Sequence, residues 1–201
     1  MSEFAFAAGA VTPRKRPAQR RSRETVTAII EATIRVLAEH GSDLTTTRVA
    51  EVAGVSVGTL YQYFPNRDAL INGVLADHLE ASIGALEVAV DANRNQPLPL
   101  AAERVARAFL AAKAHRADVS RSLHRVIDQI DERPAVRAAV RRAEHAIASL
   151  IPGPDAAARA QLICTAFEGI VRAAIAEDPD RLADPAWVDR VVALVVASAR
   201  T

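Results

Sequence analysis

The histidines and the single cysteine are the side chains of this sequence best suited to binding a metal or attacking an electrophile. No two histidines are spaced at i, i+4, so a metal site would have to be assembled from different helices by His40, His78, His115, His124 and His145. Cys164 is alone and can form neither an internal disulfide nor a Cys-x-x-Cys pair. Its apolar neighbours favour an inert buried thiol over a redox sensor. The sequence also lacks a P-loop, a GxGxxG motif and an HExxH motif, so we expect no enzymatic activity, no metal and no cofactor.

Basic side chains are concentrated near the N-terminus. The cluster comprises Arg14, Lys15, Arg16, Arg20, Arg21 and Arg23. Residues 1–23 show no apolar periodicity, which predicts a flexible basic arm, either a solvated tail or a segment that contacts nucleic acid. The net charge is only +2 over residues 1–70 and +1 over the whole chain. Any nucleic-acid contact must therefore be local, with a modest salt dependence.

The composition is that of a soluble globular protein. Half of the 201 residues are hydrophobic and 24% are charged. The longest apolar run, from Val191 to Ala199, is too short to span a membrane, and at the N-terminus the apolar stretch precedes the basic residues, the reverse of a secretory signal. We expect a cytoplasmic protein that does not associate with membranes.

Apolar residues recur at helical spacing along the chain, which predicts an all-α fold. A first helix runs from Glu24 to Gly41, and a long one begins near Asn66 and ends near Asn93. Prolines and glycines separate later helices at about 100–117, 119–130, 134–151, 155–177 and 184–200.

Two short helices joined by a glycine turn are predicted between Thr45 and Phe64. Ala50 is small where a second helix must cross closely, and Gly54 can adopt the left-handed conformation of the turn. Their shared core would be formed by Val49, Val55 and Leu60. This pattern indicates a helix-turn-helix, in which the first helix crosses the DNA backbone and the second presents its N-terminal side chains to the major groove.

The segment LTTTRVAEVAGVSVGTLYQYFPNRDAL resembles the DNA-binding signature of the TetR (tetracycline repressor) family of bacterial transcriptional regulators. The resemblance covers roughly residues 24–71. It implies a three-helix DNA-binding domain over residues 24–70 after the arm, and a helical ligand-binding and dimerisation bundle over 71–201. The implied partners are double-stranded DNA with a palindromic operator, a small-molecule effector and a second copy of the chain.

The resemblance also implies roles for individual residues of the motif. Those that would meet base edges are Val57, Gly58, Thr59 and Gln62, where the glutamine amide can pair with adenine and the valine can pack on a thymine methyl group. Those that would contact the DNA backbone are Thr45, Thr46, Tyr61, Tyr63 and Arg67, joined from the arm by Arg20, Arg21 and Arg23. The two tyrosines have an alternative as core aromatics, which is the interpretation favoured for Phe64 and Leu60.

Ligand and dimer contacts are expected in the remaining bundle. Candidate pocket residues are Phe109, His115, His124, Arg125 and Asp128, although residues of these types are more often ordinary core or surface residues of a helix. The last two helices are apolar over more than one face, so a second side must be covered. Their predicted dimer contacts are Leu162, Phe167, Ile170, Val171, Trp187, Val191 and Val195.

Taken together, these patterns predict a dimeric repressor that a small ligand releases from its operator. An activator, or a regulator that answers a protein partner, would have the same sequence features. A helical ligand-binding or enzymatic protein that uses the motif only as a scaffold is a third interpretation, which the missing catalytic motifs oppose.

Overall fold

The computed structural model describes residues 20–124, 126 and 133–200, and these residues form helices without any strand. The helices are α1 Arg20–His40, α2 Thr46–Ala53, α3 Val57–Tyr63, α4 Arg67–Ala92, α5 Leu98–His115, α6 Ala117–His124, α7 Arg133–Ala148, α8 Ala156–Glu177 and α9 Pro185–Arg200. Short 3₁₀ turns occur at Gly41–Asp43 and Pro179–Ala183. The predicted all-α class is confirmed. A search of the described helices finds none long and apolar enough to cross a bilayer.

Helix boundaries follow from residues that cap or interrupt the backbone. The Asn66 side chain accepts a hydrogen bond from the Ala69 amide at 2.8 Å and so begins α4. Gly41 follows α1 with a φ of 54°, a left-handed conformation that glycine adopts without strain. Pro97 precedes α5 and Pro185 begins α9, positions at which a missing amide proton costs no helical hydrogen bond.

The start of α1 differs from the prediction. The helix begins at Arg20, so Arg20, Arg21 and Arg23 belong to a helix rather than to a flexible arm that ends at residue 23. The hydroxyl of Ser22, in the first turn, lies 2.8 Å from the hydroxyl of Tyr63 in α3. This hydrogen bond holds the first turn of α1 against the rest of the domain, and arginine is itself a good helix former.

The chain divides into two compact units. The first contains residues up to His78 together with the described part of Ser122–Ala135. Its core is formed by large side chains that are fully or almost fully buried, including Ile29, Leu37, Leu60, Phe64 and Leu70. Leu60 and Phe64 therefore have the core positions predicted for them.

The second unit comprises Leu79–Arg121 and residues 136–200 of the described chain. The rings of Phe109 and Phe167 lie in its core with centroids 5.5 Å apart. On its surface, Arg142 of α7 makes paired hydrogen bonds to two α4 carboxylates, with shortest distances of 2.6 Å to Glu80 and 2.6 Å to Glu87. The hydrogen bonds that the Arg142 guanidinium donates to Glu87 and then to Glu80 raise its pKa, so it stays charged and clamps α7 to α4.

Candidate DNA interface and apolar cavity

The N-terminus of α2 presents threonine hydroxyls and free backbone amides to solvent. The side chain of Thr45 caps the helix by accepting a hydrogen bond from the Arg48 amide at 3.3 Å. Thr45, Thr47 and Arg48 are exposed. Because the first amides of a helix have no intrahelical acceptor and lie at the positive end of its dipole, this terminus can bind a phosphate.

Gly54 makes the turn between α2 and α3. Its φ of 68° and ψ of 29° are left-handed, a conformation that a residue with a Cβ atom adopts only with strain. The amides of Gly54 and Val55 donate to the Ala50 carbonyl, the latter at 3.0 Å, and thereby close the end of α2. The turn thus fixes the direction in which α3 leaves.

The N-terminal half of α3 has an outward face of small and hydrogen-bonding side chains. The Ser56 hydroxyl caps the helix by accepting from the Thr59 amide at 3.0 Å. Val57, Gly58 and Gln62 are exposed and Thr59 is half-buried, whereas Leu60 between them has no exposed surface. Val57, Gly58 and Thr59 are therefore accessible at the helix end that a recognition helix presents to the major groove, and Gln62 is accessible one turn further along.

Tyr61 links the two helices at this surface. Its hydroxyl lies 3.1 Å from the hydroxyl of Thr46, in the first turn of α2, and the residue is 41% exposed. Either hydroxyl could turn toward a phosphate oxygen while keeping the other as its partner. The pair brings a predicted backbone contact of each helix to one point.

Tyr63 does not belong to this surface. It is 8% exposed, and its hydroxyl is hydrogen-bonded to Ser22. The prediction of a DNA contact at Tyr63 is wrong. Tyr63 lies two positions after Tyr61, so its side chain is on the opposite side of the helix and faces the core.

Arg67 is partly buried and is bonded within the domain. Its guanidinium donates to the Ser42 carbonyl at 3.0 Å and lies 3.6 Å from the Asp68 carboxylate. The Arg67 Nε atom is buried without a hydrogen-bond partner. In this arrangement Arg67 links α4 to the turn after α1, and because a guanidinium has five N–H donors its contact with the DNA backbone stays a prediction.

Two residues at the interface were missed from the sequence. Thr47 and Arg48 are both exposed in the first turn of α2, and the Arg48 guanidinium lies 3.2 Å from the Glu51 carboxylate. The signal in the sequence was the run of three threonines before an arginine. It did not suffice, because the sequence alone does not show which threonine caps the helix and which lie inside it. Among the predicted arm residues, Arg23 is exposed in α1.

Residues 54–58 read Gly-Val-Ser-Val-Gly, which matches the GxSxG pattern of serine hydrolases. That pattern indicates a nucleophile only on a sharp turn from a strand to a helix. Here Ser56 lies between two helices, and its hydroxyl caps α3 and lies 2.8 Å from the Thr59 hydroxyl. The local structure therefore gives Ser56 a capping role.

Comparison with known families identifies the domain. The family model of bacterial regulatory proteins of the TetR family matches residues 29–74, which include α2, α3 and the turn between them. Over this segment, which holds the helix-turn-helix, the chain is similar to regulators of the TetR family. It is a DNA-binding transcriptional regulator. No curated protein matches the regulator in sequence.

Solved structures share the fold of the regulator at low sequence identity. A TetR family regulator from Marinobacter aquaeolei is 17% identical with a TM-score of 0.67, and the match covers 89% of this chain and 97% of that one. The fatty acid degradation regulator FadR from Bacillus halodurans is 17% identical with a TM-score of 0.63, covering 85% and 97%. AlkX from Dietzia, a repressor implicated in biodegradation of n-alkanes, is 22% identical with a TM-score of 0.59, covering 87% and 96%.

The second unit of the regulator contains an apolar cavity of about 40 Å³. Its thirteen lining residues are all alanine, valine, leucine, isoleucine or phenylalanine, and they come from α4, α5, the end of α7, α8 and α9. Of the predicted pocket residues, Phe109 lines this cavity. His115 does not line it and is exposed at the end of α5. His124 ends α6, and Arg125 and Asp128 lie outside the described residues.

The predicted dimer contacts fall into two groups. Phe167, Val171 and Val191 are buried in the core of their own protomer, so their assignment to a dimer surface is wrong. These helices are apolar over more than one face, and the sequence alone did not show which face packs internally. Leu162 is 71% exposed, and the partly buried residues are Ile170, Trp187 and Val195.

Proposed function

We propose that the regulator is a repressor that binds a palindromic operator as a homodimer and is released by a small ligand. The observation that carries the proposal is the outward face of α3, where Val57, Gly58 and Thr59 are accessible at a capped helix N-terminus and Gln62 is accessible one turn further along. It acts in the cytoplasm, where the DNA is, and requires no catalysis.

Sequence preference resides in the exposed side chains of α3. The Gln62 amide can donate and accept in the same plane, which matches the N6 and N7 atoms of adenine. Val57 supplies a methyl surface for thymine, and Thr59 has a hydroxyl for either a base or a phosphate. A Cβ atom on Gly58 would meet only the Ser56 hydroxyl at 3.7 Å, so the glycine is not needed by the fold and instead keeps the helix close to the groove.

Affinity without sequence preference comes from the first turn of α2 and from Tyr61. A phosphate at the start of α2 would be contacted by Thr45, Thr46 and the free amides of that helix. The Tyr61 hydroxyl, which is hydrogen-bonded to Thr46, would contact the same region of the DNA backbone. Arg20, Arg21 and Arg23 at the start of α1 supply further positive charge. These contacts set the position of α3 on the duplex.

Dimerisation is assigned to the outward faces of α8 and α9. Exposed residues recur along α8 at intervals of three and four positions. They are Leu162, Ala166, Gly169 and Ala173. Leu194 of α9 is 50% exposed. Small residues at helical spacing let two helices approach closely, and two copies of this pair would form a four-helix interface. A two-fold dimer would then place two recognition helices on successive half-sites.

Ligand release is assigned to the apolar cavity through a population shift. The end of α7 contributes Ile147 to the lining, the turn after it contributes Leu150 and Ile151, and Arg142 clamps the same helix to α4. A ligand that displaces α7 would therefore move α4, which continues without a break to Arg67 at the edge of the DNA-binding motif. Ligand affinities that differ by about 1–3 kcal/mol between the two conformations suffice for such regulation.

The DNA-binding part is tested by fluorescence anisotropy with the DNA upstream of the gene and a scrambled fragment, at two salt concentrations. We expect selective binding by the native chain, and loss of most selectivity in the double variant Val57→Ala/Gln62→Ala, because each base contact contributes about 1–3 kcal/mol. The matched control is Val88→Ala/Gln96→Ala, which removes the same side chains from exposed positions in the second unit. A recognition-helix variant that keeps full affinity and selectivity would refute the assignment.

The sign of regulation needs a measurement in cells. Transcription from the neighbouring promoter should rise in a deletion strain if the regulator represses it. A fall would instead identify an activator, and the DNA interface would remain as assigned.

A further inference from the structure

We propose that the effector is an aliphatic carboxylate, whose unbranched chain occupies the apolar cavity and whose carboxylate pairs with Lys113. This inference rests on the proposed ligand release and names the ligand class for the same cavity.

The walls of the cavity accept only hydrocarbon. None of the thirteen lining side chains has a hydrogen-bonding atom. A hydroxyl, amide or charge placed among them would lose its water without gaining a partner. The part of the ligand that enters must therefore be apolar throughout.

The shape of the cavity favours a narrow, flexible chain. Its lining follows α5 from Leu98 through Ala102 and Ala106 to Phe109, a length of about 16 Å at the rise of an α-helix. Its volume of about 40 Å³ is far below the 300–1,000 Å³ typical of ligand pockets, so a ligand must push side chains aside. A linear alkyl chain needs the least widening along such a row, whereas a fused ring system would have to separate the helices.

Lys113 lies one helical turn beyond the Phe109 end of this row. The residue is only 7% exposed, and its Nζ atom lies 5.5 Å from the centroid of the Phe109 ring. Among the described residues, the partner of its ammonium group is this ring and not a carboxylate. A ring face stabilises a cation weakly compared with a charge-assisted hydrogen bond. A ligand carboxylate would supply the stronger partner and would mark the end of the chain.

A second cation, Arg159, lies near the Leu98 end. Its guanidinium donates to the carbonyl of Ala199, a lining residue near the end of α9. That hydrogen bond satisfies one of the free carbonyls at a helix C-terminus, whereas the Arg159 Nε atom is buried without a hydrogen-bond partner. Arg159 is therefore the competing partner for a ligand carboxylate, and its replacement separates the two possible orientations of a ligand.

The test is binding of dodecanoate to the full chain by isothermal titration calorimetry without DNA, below the micelle concentration. We expect dodecanoate to bind at least about tenfold more tightly than 1-dodecanol, and dodecyltrimethylammonium to bind more weakly than either. Lys113→Met should remove the preference for the carboxylate, Lys113→Arg should retain it, and Arg137→Gln, at an exposed position on α7, should leave it unchanged. Equal binding of acid and alcohol, or a preference that depends on Arg159→Gln instead of Lys113→Met, would overturn the head-group assignment.

A second variant tests the cavity itself. Ala106→Leu adds three carbons to the wall, and we expect it to fold with an unchanged or higher Tm while losing dodecanoate binding. Undiminished binding by Ala106→Leu would place the ligand elsewhere and overturn the proposal. Because both titrations omit DNA, they are independent of the operator assay. Tight binding of dodecanoate that leaves operator binding intact would support the ligand class and contradict the release mechanism.

Discussion

Tyr61 and Tyr63 lie two positions apart in α3, and their hydroxyls have different partners. In the sequence both are tyrosines of one motif, and a role for both at the DNA backbone was predicted. A two-residue step turns a helical side chain by roughly 200°, so only one of them can face outward. The sequence did predict that Leu60 and Phe64 are buried, because their side chains have no polar end that needs water or a partner.

This difference predicts opposite phenotypes for two identical substitutions. Tyr61→Phe removes a hydroxyl proposed to contact phosphate, and we expect operator affinity to fall roughly threefold to tenfold, by the same factor on scrambled DNA. Tyr63→Phe removes the hydrogen bond to Ser22, and we expect a loss of about 0.5–1.5 kcal/mol in the free energy of unfolding with little change in DNA affinity. Anisotropy and chemical denaturation of both variants check this. Equal DNA affinity of Tyr61→Phe and the native chain would remove Tyr61 from the interface.

Cys164 is the residue for which burial has a measurable chemical consequence. Burial raises the pKa of its thiol from an ordinary value of 9.0 to about 12. Below pH 9 both folded and unfolded chains keep the proton, whereas between pH 9 and 12 only the unfolded chain ionises, so this thiol lowers stability as the pH rises through that window. At pH 8 we expect iodoacetamide to modify the native chain at least about tenfold more slowly than the chain in urea. As Cys164 is the only cysteine, mass spectrometry reports it directly, and equal rates would show that the thiol is accessible and ionisable in the fold.

At the scale of elements, the sequence predicted helices best where a residue interrupts the backbone. Gly41, Gly54 and Pro97 lie next to helix ends in the structure, because their conformational properties act locally. The start of α1 was predicted four residues late, since no breaker marks it and its anchor is a hydroxyl from α3. A contact between distant segments leaves no local pattern.

Gly73 of α4 shows how one element depends on another. A Cβ atom there would lie 2.8 Å from the Phe64 ring and 2.9 Å from the end of Ile30, closer than packed atoms approach. We therefore expect Gly73→Ala to lower the free energy of unfolding by about 1–2 kcal/mol, despite the better helix propensity of alanine. Gly84 lies in the same helix with nothing within 4 Å of an added Cβ, so Gly84→Ala should raise stability by about 0.5–1 kcal/mol. Thermal denaturation of the pair decides the point, and similar stabilisation of both would mean that Phe64 and Ile30 yield without cost.

At the scale of the whole molecule, the excess of apolar residues in α8 and α9 predicts a dimer, which stays a prediction, and it did not separate outward-facing residues from core residues. The internal core takes Phe167, Val171 and Val191, and leaves an outward face formed by smaller side chains and Leu162. Both faces are hydrophobic, so the sequence does not distinguish them. Only packing against α4 and α5 shows which face is covered within the protomer.

Gly169 lies on the proposed dimer face and provides a test that does not disturb the protomer. No atom lies within 4 Å of a Cβ added at Gly169, so Gly169→Gln should fold with unchanged or slightly higher protomer stability. If two α8 helices approach closely there, the longer side chain would separate them, and we expect at least about a tenfold weaker dimer by analytical ultracentrifugation. Gly84→Gln makes the same substitution at an open position of α4 and should remain dimeric. Operator affinity should fall with the dimer, because two half-sites are then no longer occupied by one particle. A Gly169→Gln chain that dimerises as tightly as Gly84→Gln would require a different surface for assembly.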